Sequence, residues 1–438
     1  MMMGEKTPSR PDGMCCPAGE RMDGKMAGTV YRNVRLLSPW EGIDTLCDLR
    51  LREGIIAEQG QELPLRGDRE VDGAGCVVCP AFFDLHVHLR DPGQTHKEDI
   101  LTGTAAAAAG GVSGVASMPN TLPTTDSPEI LRYILEKAEG GSAKVYPVAA
   151  ITKGLKGEEL CDFSALAAAG AVAFSDDGRP VESPRLLAEA MSRLARLDLP
   201  MISHCEDLAI VNGGIINEGA VSRVLGVPGI DRASEDSITE RDILMAEKTG
   251  ARLHIAHVST AGAVALIEDA KKRGVRVTAE TCPHYFALNE TELLSMDARF
   301  RMNPPLRTEQ DRIAIRDAVC RGVFDCISTD HAPHSDQEKA DFRTAPNGII
   351  GLETSFAVSY TYLVKPGLIS LSQLIELMSA GGRRVLGLPL PSLQVGAEAE
   401  LALLRFADWT VSRNDFAGKS RNSPFIGHTL AARAERIF

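Results

Sequence analysis

Residues 84–93 read DLHVHLRDPG, an apolar alternation that carries His86 and His88 and then stops at Arg-Asp-Pro-Gly. In a strand, residues i and i+2 share a face, so these two imidazoles point the same way and can serve as neighbouring ligands of one ion. Two histidines at this spacing are also common on ordinary packed or exposed strands. They gain meaning from company. Asp176 and Asp177 in AFSDDG, His204 in HCED, His257 in HVS and Asp330 in STDHAPH each stand at the end of an apolar run. Four histidines, Asp330 and whichever of the two adjacent aspartates faces the same way would be expensive to leave without partners at one point, by about several kcal/mol. A metal satisfies them. Imidazole and carboxylate suit zinc, the commonest choice, and also manganese, iron or cobalt. Six ligands exceed one tetrahedral shell, which predicts two ions sharing a bridging carboxylate and a bridging hydroxide. Such a pair ionises water at neutral pH.

Something must bring these residues together. From residue 81 the chain alternates between short apolar or β-branched runs and longer helical patterns, as βα units do. The strand-like runs are 81–88, 111–118, 143–151, 171–176, 200–206, 252–258, 275–281 and 324–330. Ser127-Pro128 and Ser183-Pro184 each place a capping hydroxyl before a proline at the first helical position, and Gly250 and Gly274 read as helix stops. Eight repeats over roughly 250 residues predict a (β/α)8 TIM-like barrel, whose C-terminal strand ends meet at one mouth. The flanks, 28–80 and 395–406, read as short strands without intervening helices. They predict a small β-sandwich domain formed from both chain ends. The expected organisation is a disordered tail over 1–27, an N-terminal contribution to the sandwich over 28–80, the barrel over 81–385, and a C-terminal contribution to the sandwich with the closing segment over 386–438.

Composition narrows the function. The 438 residues are 44% hydrophobic and 24% charged, which is ordinary for a soluble globular protein, and no long uncharged apolar run predicts a membrane span. A formal net charge of −12 disfavours nucleic acid as a partner. Ten cysteines spread over a long chain suit a reducing cytoplasm, and Cys76 and Cys79 in CVVC lack the second pair a zinc site would need. They are expected to pack as apolar groups.

Seven stretches together resemble the dihydroorotases of the amidohydrolase superfamily, in the long bacterial type I form. These are DLHVHLRDPG at 84–93, MPNT at 118–121, AFSDDG at 173–178, HCED at 204–207, HVS at 257–259, MNPPLR at 302–307 and STDHAPH at 328–334. They run in the family's order from about residue 30 to 430. The resemblance implies that His86, His88 and Asp330 hold one zinc, that His204 and His257 hold the other, and that Asp177 reaches both. Asp176 is expected to be structural. Many superfamily members bridge their metals with a carboxylated lysine at the fourth strand, but no lysine occurs between Lys156 and Lys248. The aspartate takes that place, as in the type I pattern.

The activity implied is the reversible cyclisation of N-carbamoyl-L-aspartate to L-dihydroorotate in pyrimidine biosynthesis. A metal-bound hydroxide attacks the ring amide, and Asp330 shuttles the proton. Arg90, Asn120 and His334 are the implied contacts to the substrate carboxylate. His88, Asn303, Asn347 and Gly348 are the remaining implied substrate contacts. His254, His284 and His331 are not needed, and His254 reads as a packed histidine. Two alternatives stand beside this reading: another cyclic amidohydrolase such as a hydantoinase or allantoinase, and a non-catalytic partner of aspartate transcarbamoylase. Assembly with that transcarbamoylase and a homo-oligomer are further expectations from the family.

Overall fold

In a computed structural model, the described residues are 28–437, together with the backbone of the two-residue strands Arg21–Met22 and Lys25–Met26. Most of the expected tail over 1–27, including Cys15 and Cys16, lies outside the described residues.

After that short pair come five strands: β1 (Thr29–Ser38), β2 (Ile43–Arg52), β3 (Ile55–Gly60), β4 (Arg69–Asp72) and β5 (Val77–Pro80). Eight more follow: β6 (Phe82–Val87), β7 (Val112–Ser117), β8 (Lys144–Ala149), β9 (Ala173–Phe174), β10 (Met201–Ser203), β11 (Leu253–Ile255), β12 (Val277–Thr281) and β13 (Cys326–Ile327). These eight pair in parallel in chain order, each overlapping one of the runs expected from the sequence. A parallel bridge between Val87 and His331, reinforced by the His88 N–H donating to the His331 carbonyl at 2.8 Å, joins the last strand back to the first. The result is the nearly closed (β/α)8 barrel that the spacing predicts.

The helices follow from the same patterning. Pro184–Leu197 buries Leu186, Leu187, Ala190, Met191 and Leu194, the spacing of one helical face against the barrel wall. Ser183 caps it by accepting from the Leu186 N–H at 3.4 Å. Ser127 precedes Pro128 at the start of Pro128–Ala138 but makes no side-chain cap bond, so proline's fixed φ alone marks that start. Gly250 (φ 70°) and Gly274 (φ 80°) stand just past their helices in the left-handed region, as stop signals should.

Both chain ends build the accessory sheet. Of two late strands, β14 (Leu401–Arg405) pairs antiparallel with β5 and β15 (Arg433–Arg436) pairs antiparallel with β14, giving a seven-stranded sheet with the order β15-β14-β5-β1-β2-β3 and β4 beside β1. Cys76 and Cys79 lie buried at and on β5, and every cysteine among the described residues is free. No described helix is long and apolar enough to cross a membrane.

A buried ion pair fastens this sheet to the barrel. Arg383 donates to Glu400 at 2.8 Å and to Ser113, on β7, at 3.0 Å, and Lys144, on β8, also pairs with Glu400. Both Arg383 and Glu400 are buried. Removing one partner of such a pair strands the other charge. Glu400→Ala is therefore expected to lower the unfolding free energy by about 3–5 kcal/mol, read by urea denaturation. A loss below about 1 kcal/mol, the value of an exposed pair, would contradict it.

Candidate metal centre

Each candidate ligand leaves the barrel at a strand end. His86 is in β6 and His88 follows it; Asp177 follows β9, His204 follows β10, His257 follows β11 and Asp330 follows β13. All are buried. Asp177 is the common neighbour: its Oδ1 lies 3.3 Å from His86 Nε2, 3.5 Å from His204 Nδ1 and 3.9 Å from His257 Nε2, and its Oδ2 lies 3.6 Å from His88 Nε2. His204 Nδ1 and His257 Nε2 face each other at 2.8 Å. Asp330 Oδ1 lies 3.0 Å from His88 Nε2 and 3.8 Å from His86 Nε2. Thus the donors fall into two sets, His86 with His88 and His204 with His257, that share Asp177.

The two adjacent aspartates separate cleanly. Asp176 turns away and accepts from the Ile151 N–H at 2.8 Å, the Thr152 N–H at 3.0 Å and the Thr152 hydroxyl. Burial pushes its carboxyl up to about 6 against those bonds. Asp177 goes the other way. Burial opposes its ionisation, yet the charge on His86 and the nearby ring nitrogens of His204 and His257 hold it well below the ordinary carboxylate range. Burial likewise opposes charge on the imidazoles, but Asp177 raises His86 well above its usual value, and Asp177 with Glu206 pushes His204 up to about 10. The field at this point demands positive charge.

The donors fit a metal. His86 Nε2 and Asp177 Oδ1 are buried without a hydrogen-bond partner among the described residues, and an orphaned nitrogen and an orphaned oxygen facing each other at 3.3 Å are what a hard or borderline cation takes. The backbone is bent to present them. His257 (φ 35°), Asp330 (φ 48°) and Arg90 (φ 60°) all occupy the left-handed region, where a residue other than glycine costs about 1–3 kcal/mol.

A cationic face borders the centre. Burial draws the Arg90 guanidinium down to about 10, still cationic, and it donates to the Pro333 carbonyl at 3.2 Å with a second nitrogen 3.3 Å from His334 Nε2. Lys97 Nζ lies 3.4 Å from His334 Nδ1. Burial first, then these flanking cations, keep His334 well below the usual histidine range, hence neutral. Its Nε2 is 3.0 Å from the Asn347 carbonyl oxygen. Gly348 follows at φ 137°, where a Cβ would come within 2.8 Å of the Ala332 Cβ and 3.0 Å of His334, so glycine is required. Asn303 donates to Glu206 at 2.9 Å. Asn120 spans the ligands: its Oδ1 is 2.8 Å from His88 Nδ1, and its Nδ2 donates to Asp177 at 3.0 Å. A substrate contact through Asn120 would use its second amide proton.

Four site-building residues have no counterpart in the expectations from sequence. Glu280 lies 3.1 Å from His86 Nδ1, and Glu206 3.4 Å from His204 Nε2. Lys97 flanks His334. Asn422, from the C-terminal segment, donates to the Ala332 and Gly348 carbonyls at 3.1 and 3.0 Å and accepts from the His334 N–H at 3.2 Å. Glu206 sits inside the HCED match, which is signal enough to find it; Glu280 lies one residue before its strand end, and Lys97 and Asn422 lie outside the strand-end pattern. His254 is buried, but with Nε2 3.4 Å from Glu280 it faces a carboxylate inside the barrel instead of simply packing. His331, held neutral by burial at about 3, accepts from the Gly351 and Leu352 N–H groups, a structural role.

The family model described as "Dihydro-orotase-like" matches residues 75–263. A dihydroorotase of Syntrophotalea carbinolica is 46% identical over 408 residues, covering 92% of this chain and 96% of that protein. One of Trichlorobacter lovleyi is 45% identical, with the same coverage of both. Among solved structures, L-hydantoinase from Arthrobacter aurescens aligns with a TM-score of 0.80 at 24% identity, over 93% of this chain and 94% of that one. Dihydropyrimidinase from Brevibacillus agri aligns at 0.79 with 21% identity, over 93% and 92%. At those identities the structural matches speak for the fold alone. Full-length similarity above 40% to dihydroorotases, on a chain whose barrel mouth gathers four histidines around one aspartate, settles its place: the chain belongs to the dihydroorotase family.

Proposed function

We propose that the chain catalyses the reversible, metal-dependent ring closure of N-carbamoyl-L-aspartate to L-dihydroorotate. The observation that carries this reading is the pairing of two histidine sets on Asp177 with a cationic face, Arg90 beside His334, at their edge. His86, His88 and Asp330 would hold one zinc ion, His204 and His257 a second, with Asp177 serving both. When bound, such ions polarise an amide carbonyl and lower the pKa of water.

The protein's own groups do the rest. Arg90 presents a planar fork that matches the substrate carboxylate, and neutral His334 and Asn120 flank it. Asn303 and the backbone at Asn347-Gly348 border the ring. Asp330 is held below the ordinary carboxylate range, where burial is outweighed by its hydrogen bond with His88 and the charge of His86. It is therefore ionised and free to act as a base. In the hydrolytic direction it accepts a proton from the attacking water and returns it to the departing ring nitrogen. In the synthetic direction it takes that proton from the carbamoyl nitrogen.

A hydantoinase-like activity is the rival that shares this fold. Its substrates lack the carboxylate that Arg90 is placed to receive, and a half-buried cation left without its partner penalises them. The same proposal includes a cytoplasmic setting, a homo-oligomer and association with aspartate transcarbamoylase. The mass of the chain in solution, alone and mixed with that enzyme, tests the last two, and a monomeric mass throughout counts against both.

Two assays test the chemistry. Hydrolysis of dihydroorotate should exceed that of hydantoin or allantoin by about 10⁴-fold in kcat/KM, and equal or faster turnover of either rival would end the substrate assignment. Asp330→Asn should lower kcat by about 10²–10⁴-fold with the circular dichroism spectrum retained. Wild-type turnover in that variant would remove the proton shuttle.

A further inference from the structure

Beneath the mouth, inside the barrel, lies a carboxylate that the proposed reaction does not use. Glu280, on β12, is fully buried. Its Oε1 is 3.1 Å from His86 Nδ1. Its Oε2 accepts from the Ser328 hydroxyl, lies 3.8 Å from the Cys326 thiol and is 3.4 Å from His254 Nε2. His254 is fixed in turn, with Nδ1 2.9 Å from the Thr278 hydroxyl. Hydroxyl, thiol and imidazole groups thus surround the carboxylate with hydrogen-bond donors. One carboxylate oxygen of Glu280 is therefore aimed at the back of His86, while Ser328 holds the other.

This arrangement decides which nitrogen His86 presents. A neutral imidazole carries one N–H and one lone pair. With the N–H at Nδ1 donated to Glu280, the lone pair falls on Nε2, the atom 3.3 Å from Asp177 that has no hydrogen-bond partner of its own. The neighbouring His88 is oriented by a neutral acceptor, the Asn120 amide oxygen at 2.8 Å. His257 Nδ1 has no partner among the described residues. His204 too has a carboxylate behind it, Glu206 at 3.4 Å, but the contact behind His86 is the shorter of the two, and a carboxylate behind a ligand histidine fixes its tautomer and makes it a better donor.

We propose that Glu280, supported by Ser328 and His254, is a positioning residue that sets His86 as an Nε2 donor and thereby tightens one of the two metal sites. This rests on the metal reading above. The test is titration of metal-free protein with cobalt(II), followed by visible absorption, on the wild type and on Glu280→Gln, which keeps the volume and removes the charge.

The wild type should take up two ions per chain. The variant should bind one of them 10–100-fold more weakly while its far-ultraviolet circular dichroism is unchanged. Equal affinities within about twofold at both sites would overturn the role of Glu280 and leave the metal reading standing. A wild type that takes up no cobalt would overturn both. A second measurement does not depend on the variant folding. Nitrogen NMR of histidine-labelled wild type loaded with cadmium should place the His86 proton on Nδ1 and the cadmium coupling on Nε2. The reverse assignment would overturn the proposal.

Discussion

One carboxylate surrounded by four imidazoles is the constraint on which the rest of the site depends. Asp177 lies between 3.3 and 3.9 Å from a ring nitrogen of each histidine, which no other residue of the cluster does. A carboxylate has two oxygens and about four lone-pair directions, so it can serve two neighbouring cations at once. Asp176 makes this possible. By clamping to the backbone of Ile151 and Thr152 it fixes the turn that throws Asp177 inward.

Holding such a point together works against local preference in several places. His257, Asp330 and Arg90 sit at left-handed φ, and several buried donor atoms face one another without partners. Those costs are borne by a large apolar core around the barrel and by polar ties across it: Arg383 to Glu400 at one end, Asn422 to Gly348 and His334 at the other. The C-terminal segment is accordingly more than an appendage of the accessory sheet, since it braces the loop that carries His334.

The sequence makes the barrel legible because parallel strands buried on both faces read as short apolar runs, and the polar residues that break this pattern at the run ends are the ones that meet at the mouth. Spacing alone places His86 and His88 on one side. Choosing Asp177 over Asp176 requires the family resemblance, because two adjacent aspartates look alike in sequence and differ only in which way the turn faces. Glu280 is hidden for a different reason. It lies one residue before the end of its strand and points into the barrel below the mouth, where a glutamate in VTAET is indistinguishable from one on an exposed edge until closure is known. Asn422 lies beyond the barrel altogether, and nothing local to RNSP announces that it returns to residue 334. Lys97 follows a loop whose path is set by tertiary contacts. Residues that touch the centre are marked by type and position, whereas those that support them are marked only by the fold.

Anomalous diffraction from zinc-loaded crystals tests the central claim most directly. Two peaks about 3.5–4 Å apart are expected, one bonded to His86 and His88, the other to His204 and His257, and both to Asp177. A single ion, or a pair that leaves Asp177 unbonded, would contradict the account.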